Sequence, residues 1–384
     1  MNKKKICYIT GTRADYGLMK NVLRKISKEF DLSLIVVGMH LLKKFGYTVK
    51  EIEKDGFKII KKIKTISARD TAAGMVKSFG LSVIKIADAL KNAKPDIILL
   101  LGDRGEALAG ALVGAYLNIP VIHIHGGDQG DNAGHIDDST RHAITKFSHL
   151  HFVATKQSAE RIVKMGEEKW RVHFVGSPAL DDIFSVKLHS KKYLEKKYKI
   201  NLKKPLIIAL QHSVPMQAKI AAKQMKETLE ALKEIGVNTV LIYPNSDVGG
   251  RSMIKVIKEY ENCDFLKIYK SLPRIDYLSL MKYAGAIVGN SSSGTIDAPA
   301  FKLPAVNIGT RESVRENAGN KIFVDYDKNE IKKAIQRALF DVDFRKRVKR
   351  RKSPYGDGRA GLKIVRILKN LKINDKLLAK RLAY

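Results

Sequence analysis

Eight side chains able to carry, accept or stabilise a proton fall within twenty residues of this chain: His123, His125, Asp128, His135, Asp137, Asp138, Arg141 and His142. Carboxylates and imidazoles gathered this densely are what removing a proton from a weakly acidic carbon requires, because close neighbours shift one another's pKa values. Their spacing matches no structural zinc pattern, and Cys7 and Cys263 lie elsewhere, so an acid/base cluster is expected and no metal site. The structural alternative is one surface pair between Asp137 and Arg141, four residues apart at a helix start.

Three further clusters carry anion-binding chemistry. Gly289-Asn290-Ser291-Ser292-Ser293-Gly294 combines small residues with hydroxyl donors, and residues 295–301 read as a helix whose positive end would face a phosphate. Gly11-Thr12-Arg13-Ala14-Asp15-Tyr16-Gly17 supplies an arginine fork at Arg13, with an Arg13–Asp15 surface pair as the alternative. Gly102-Asp103-Arg104 ends the most apolar stretch of the chain, where a charge is costly unless it faces a cleft or pairs with its neighbour. Neither a G-x-G-x-x-G dinucleotide fingerprint nor a phosphate-binding G-x-x-x-x-G-K-[ST] loop is present.

These clusters follow short apolar runs. Residues 5–10, 31–38, 95–102, 120–125, 205–211, 239–244, 284–289 and 305–309 read as strands. Amphipathic stretches at 18–30, 77–92, 106–117, 138–148 (with Asp138 as N-cap), 219–235, 252–259 and 276–282 read as helices. Such alternation predicts an α/β protein of two Rossmann-like, doubly wound domains facing a central cleft, with ligands at the carboxyl ends of the strands. The boundaries expected are 1–178 and 179–360, with a hinge near 176–182 and a helical tail, 361–384, packing back onto the first domain.

At 384 residues the chain is long enough for two cores. No apolar run approaches the length of a membrane span, and Ile6-Cys7-Tyr8-Ile9 is too short for an export signal, so a cytoplasmic protein is expected. Two distant cysteines read as free thiols. The formal charge of +32 is spread along the chain, and its densest run, 345–352, contains no aromatic residue, so it reads as a solvated helix face. A basic nucleic-acid-binding protein is the reading from a different class, and the strand-end clusters favour an enzyme over it.

Taken in order, Gly102-Asp103-Arg104, His123-Ile124-His125-Gly126-Gly127-Asp128 and the run 136–146 closely resemble the hydrolysing UDP-N-acetylglucosamine 2-epimerases. The resemblance continues through Gly176-Ser177-Pro178, Gln211-His212, Tyr243-Pro244-Asn245, the 289–294 loop, Gly309-Thr310-Arg311 and Pro354-Tyr355-Gly356-Asp357-Gly358. It covers essentially the whole chain and implies a fold of the glycosyltransferase-B type, a UDP-sugar substrate, no cofactor, no obligate nucleic acid or membrane partner, and a homodimer.

By motif, the resemblance places Arg13, Arg104, His212, Asn245, Ser291, Ser292 and Arg311 at the nucleotide and its diphosphate. Asp297 stands where the family commonly has a Glu that holds the ribose. Asp103, Asp137, Asp128, His123, His125, Asp138 and Arg141 form the catalytic set, with Asp103 and Asp137 foremost. Three departures stand out: residues 128–135 form a longer connection, Leu101 replaces a histidine, and His125 stands where an acidic residue is sometimes found. The chemistry implied is loss of the C2 proton with cleavage of the C1–oxygen bond to UDP, giving a 2-acetamidoglucal. Water then adds at C1 and a proton at the other face of C2, releasing N-acetylmannosamine. The nearest alternatives on this fold are a GDP-linked di-acetamido-sugar 2-epimerase, a non-hydrolysing UDP-N-acetylglucosamine 2-epimerase and a glycosyltransferase.

Overall fold

The computed structural model describes residues 3–43, 46–65, 72–129, 136–245 and 247–384. His135, Ser246 and residues 130–134, which the sequence groups with the site, lie outside them. The contacts divide the chain into two units. The first takes the described residues up to Asp182 together with Tyr355–Tyr384, and the second takes Ile183–Pro354.

The first unit is built on a sheet of seven parallel strands, β1 (Lys5–Thr10), β2 (Asp31–Val37), β3 (Ile59–Ile63), β4 (Ile97–Leu101), β5 (Val121–Ile124), β6 (Leu150–Val153) and β7 (Val172–Phe174). Their order is β3-β2-β1-β4-β5-β6-β7. Strand β4 is buried along its whole length because both faces of the sheet are covered. Ile97, Leu99 and Leu101 point into one core with Tyr8, Met19 and Leu23, while Ile98 and Leu100 point into the other with Ile9 and Val113. The Ala360–Asn370 helix adds Ile364 and Leu368 to the first of these cores.

The second unit repeats the plan with six parallel strands, β8 (Ile207–Leu210), β9 (Thr239–Ile242), β10 (Leu266–Tyr269), β11 (Ala286–Gly289), β12 (Ala305–Ile308) and β13 (Lys321–Val324), ordered β10-β9-β8-β11-β12-β13. In each sheet the strand order reverses once, between β1 and β4 and between β8 and β11. At such a reversal the following helices diverge to opposite faces and leave a crevice beyond the carboxyl ends. Gly102-Asp103-Arg104 follows β4 and Arg13 follows β1; His212 follows β8 and the serine loop follows β11.

Two expectations are corrected here. The tail is not one helix: it forms Ala360–Asn370 and the short Asp375–Leu378, then continues without helix to Tyr384. Residues 295–301 do not form an α-helix either. Two 3₁₀ turns, Ser292–Gly294 and Ala298–Phe301, take their place, because Pro299 has no N–H to donate and its ring opposes the carbonyl four residues back. Among the described residues no helix is long and apolar enough to cross a membrane.

Candidate active site

In the first unit the charged groups converge on one guanidinium. The helix Ile136–Phe147 begins two residues earlier than expected, so Asp138 is not its N-cap but sits in the first turn beside Asp137. Asp138, Arg141 and Thr145 then lie along one face. Arg141, nearly buried, donates to the carboxylates of Asp138 and Asp103 and, from Nη1, to the Asp128 carbonyl at 2.9 Å. The Asp103–Arg104 pairing considered from sequence is therefore replaced by Asp103–Arg141. A guanidinium that donates to two carboxylates at once fixes the orientation of both. Arg104 is exposed, with Nη2 3.9 Å from the Met39 sulfur.

His123 ends up in a different situation from the other candidates. It is fully buried, and its Nε2 lies 2.7 Å from the Gly102 carbonyl, which can only accept, so Nε2 carries the proton. Nδ1 is then the acceptor for the Thr145 hydroxyl at 3.2 Å. Burial above all holds its pKa down to about 3. A neutral ring with both nitrogens engaged orients the Gly102–Asp103 peptide and has no nitrogen left for proton exchange with a substrate.

His125 has positive φ, at 64°, an uncommon setting for a residue with a side chain. Its Nδ1 lies 3.2 Å from Asp128 Oδ2 and its Nε2 3.3 Å from Ser177 Oγ. Asp128 is oriented in turn by Ser158, whose hydroxyl donates to Oδ1 at 2.8 Å. The turn depends on Gly127, at φ 74°, where a Cβ would stand 2.3 Å from the Ser158 carbonyl oxygen. Arg13 is exposed at the first position of its helix and pairs with Glu51 at 3.3 Å, not with Asp15. Asp15 instead completes a capping box with Thr12.

In the second unit the ends of β8 and β11 are pinned together. Asn290, fully buried, accepts from the His212 N–H at 2.6 Å and donates to the His212 carbonyl at 2.9 Å. The strands can approach this closely because Gly289 has no side chain: a Cβ there would lie 2.1 Å from the Leu210 carbonyl oxygen. His212 Nδ1 accepts from the Asn245 N–H at 3.0 Å, which leaves Nε2–H as a donor. Burial first, then the neighbouring Arg311 cation, lower the His212 pKa to about 4, so the donor is a neutral imidazole. Arg311 Nη1 donates to the Ser213 carbonyl at 3.0 Å and pairs with Asp247 at 3.2 Å, and Asn245 also donates to Asp247 at 2.7 Å. Ser291 caps the first 3₁₀ turn and Ser292 is exposed.

Asp297 is buried and largely occupied. Arg274 meets both of its oxygens, at 3.0 and 3.1 Å, and the Ser293 hydroxyl adds a third bond at 2.8 Å. It thus fastens the serine loop to the Arg274–Tyr283 helix and leaves little capacity for a ribose.

The structure thus gathers Asp103, Asp128, Asp138 and Arg141 in one cluster, with His123 behind it and His125 joined to it through Asp128. It gathers His212, Asn245 and Arg311 in another, alongside the serine loop. Arg13 and Arg104 join neither through a direct contact. Sequence reading missed Thr145, Ser158, Ser177, Asn290 and Arg274 as supports. Asn290, Ser177 and Thr145 stood inside motifs already noticed, but Ser158 and Arg274 gave no signal without knowledge of which loops meet. Among the described residues no group of three His, Cys, Asp or Glu side chains is placed to hold a metal ion.

Comparison with known proteins adds the following. The family model described as UDP-N-acetylglucosamine 2-epimerase matches residues 24–369. A UDP-N,N'-diacetylbacillosamine 2-epimerase (hydrolyzing) of Legionella pneumophila is 36% identical over 383 residues, 99% of this chain and 100% of that protein. A GDP/UDP-N,N'-diacetylbacillosamine 2-epimerase (hydrolyzing) of Campylobacter jejuni is 38% identical, over 88% of each chain. A UDP-N-acetylglucosamine 2-epimerase of Neisseria meningitidis is 36% identical over 87% of each. Among solved structures, a UDP-GlcNAc 2-epimerase from Neisseria meningitidis bound to UDP-GlcNAc superposes with a TM-score of 0.83 at 18% identity, covering 96% of this chain and 100% of that one. That likeness carries the fold: two Rossmann-like α/β units of the glycosyltransferase-B type.

Proposed function

Because this chain belongs to the UDP-N-acetylglucosamine 2-epimerase family and is an enzyme, a nucleotide-sugar 2-epimerase, we propose that it is of the hydrolysing kind. It converts UDP-N-acetylglucosamine and water to N-acetylmannosamine and UDP. The observation that carries this reading is the Arg141 cluster, which holds the Asp103 and Asp138 carboxylates in fixed orientation at the ligand-binding end of a parallel sheet. Elimination needs a carboxylate to take the C2 proton as the electron pair of the C1–oxygen bond leaves with UDP, and a second group to return a proton to the opposite face. Asp103, Asp137 and Asp138 are assigned to these transfers, with Asp128 and His125 as a coupled pair. Arg141 orients the Asp103 and Asp138 carboxylates, and His123 acts as a positioning residue.

The second unit takes the nucleotide. Charge accumulates on the diphosphate as the bond breaks, and Arg311, the Nε2–H of His212, Ser291 and Ser292 are suited to stabilise it. Asn245 lies beside the nucleotide, while Asp297 shapes the serine loop. Arg13 and Arg104, both exposed cations of the first unit, are assigned to nucleotide binding by motif alone. Free Cys7 and Cys263 suit the cytoplasm. The exposed apolar residues Met75, Val76, Ile84 and Tyr116, on the Ala72–Ala93 and Gly105–Tyr116 helices, support pairing with a second copy.

A second reading keeps the chemistry and changes the sugar. It is favoured by the two relatives named for N,N'-diacetylbacillosamine, one of which aligns over 99% of this chain. The test is incubation of purified protein in deuterated water with UDP-N-acetylglucosamine, UDP-diacetylbacillosamine or the GDP-linked sugar, followed by NMR and mass spectrometry. Free N-acetylmannosamine with deuterium at C2 and equimolar UDP is the result expected. Turnover of a di-acetamido substrate alone shifts the assignment to the second reading. A product still bearing UDP rules out hydrolysis.

A further inference from the structure

We infer that Lys380, in the C-terminal tail, is a positioning residue for Asp103, acting through Thr145 and His123; this rests on Asp103 serving in proton transfer as proposed above.

The tail is fixed by a fully buried arginine. Arg171 Nη1 donates to the carbonyls of Leu377 at 2.8 Å and His149 at 3.2 Å, while Nη2 donates to those of Lys376 at 3.0 Å and Ala379 at 3.1 Å. Its Nε donates to Glu168 Oε2 at 2.8 Å; a buried guanidinium is costly to leave short of acceptors, so the tail that supplies three of the five is held firmly. The next residue is Lys380. Its ammonium has three donors, and three acceptors surround it: the carbonyls of Thr145 at 3.0 Å and Lys146 at 2.7 Å, and Glu167 Oε2 at 2.8 Å. The two carbonyls belong to the last turn of the Ile136–Phe147 helix, an end that favours a cation, and the Thr145 carbonyl also accepts from the Ser148 N–H at 3.1 Å. Glu167 is fully buried and also meets Lys146 at 3.2 Å and His151 at 3.1 Å, so the anchor is itself anchored.

From Thr145 the connection runs toward the carboxylates. Its carbonyl is held by Lys380, and its hydroxyl reaches His123 Nδ1 at 3.2 Å. The opposite nitrogen of that ring donates to the Gly102 carbonyl at 2.7 Å, one residue before Asp103. One helical turn before Thr145, Arg141 holds the Asp103 carboxylate itself. Backbone and side chain of Asp103 are thus both set by the same helix. The ammonium that fixes the end of that helix lies 235 residues further along the chain. Misplacing a reacting group by about 1 Å costs on the order of a hundredfold in rate.

The experiment uses full-length Lys380→Met, Lys380→Arg, Thr145→Val, Thr145→Ser and the Lys380→Met/Thr145→Val double variant, each checked for a cooperative melt. Expected for Lys380→Met and Thr145→Val is a loss of about tenfold to a hundredfold in kcat with KM within about twofold. Lys380→Arg and Thr145→Ser are expected to keep about half the rate or more. The double variant is expected to fall close to the worse single, because both break one connection. The ring ¹⁵N signals of His123 are read in parallel and are expected to move in Lys380→Met. Unchanged kcat in either single variant, multiplied losses in the double, or unmoved His123 signals would overturn the inference. A wild-type protein inactive on every acetamido nucleotide sugar would instead overturn the proposed function, and the His123 signals still decide the coupling.

Discussion

Arg141 meets two carboxylates while nearly buried, so removing its charge leaves like charges close together and short of a counterion. Arg141→Ala is expected to lower stability by about 3 kcal/mol or more, read by urea unfolding, and to abolish turnover. Arg141→Lys keeps the charge but loses the fork, and is expected to retain the fold with a rate reduced by about a hundredfold. Gly127→Ala tests the turn that carries His125 and Asp128. With φ at 74° and a carbonyl oxygen 2.3 Å from the new methyl, the backbone must shift, and a loss of about 1–3 kcal/mol is expected in the same assay. At this scale the sequence revealed the types of the site residues but not their pairings. The sequence offers Arg104 as the neighbour of Asp103, but the partner is Arg141, 38 residues away. His123 carried the chemistry of a base in its side chain, but burial and two hydrogen bonds make it a strut.

Elements explain why the pairings escaped. The central strands were legible because unbroken apolar runs such as Ile97–Leu101 suit a strand covered on both faces. Edge strands were not: β3 carries Lys61 and Lys62, β10 carries Lys267, and β7 is three residues long. Such strands are half solvated, so no apolar period announces them. Pro299 is visible in the sequence, and it makes the segment after the serine loop a 3₁₀ turn instead of an α-helix. The junction of β8 and β11 yields a test at this scale. Asn290→Ala removes both bonds to the His212 backbone. We expect UDP affinity, measured by titration calorimetry, to fall by about tenfold, with a smaller change in the rate at saturating substrate.

Across the whole molecule, several histidines are buried or half-buried and neutral. Burial is the first cause in each case, holding His123 at about 3 and both His149 and His212 at about 4. In the unfolded chain each titrates near 6.5. Below that value the unfolded chain binds protons that the folded one refuses, so the stability these rings contribute is complete above about pH 6.5 and is lost as pH falls toward 4. Glu167 extends the loss at lower pH. Burial alone would raise its pKa, but hydrogen bonds from His151 and Lys380 outweigh that and draw it to about 2, so its contribution is present above about pH 4.5 and fades below. The urea midpoint is therefore expected to drop steadily from pH 7 to 4 while the slope of the transition stays constant.

The first unit also has a consequence for the order in which the protein is made. Its core includes Ile364, Leu368 and Leu377, and its buried Arg171 waits for carbonyls at 376, 377 and 379, yet Ile183–Pro354 must leave the ribosome before any of these. At about 5–20 residues per second that interval lasts roughly ten to thirty seconds. By its end the second unit has everything it needs to fold, while throughout it the nascent first unit keeps an apolar face uncovered and a guanidinium short of acceptors, a stage at which it should recruit chaperones that the finished protein ignores.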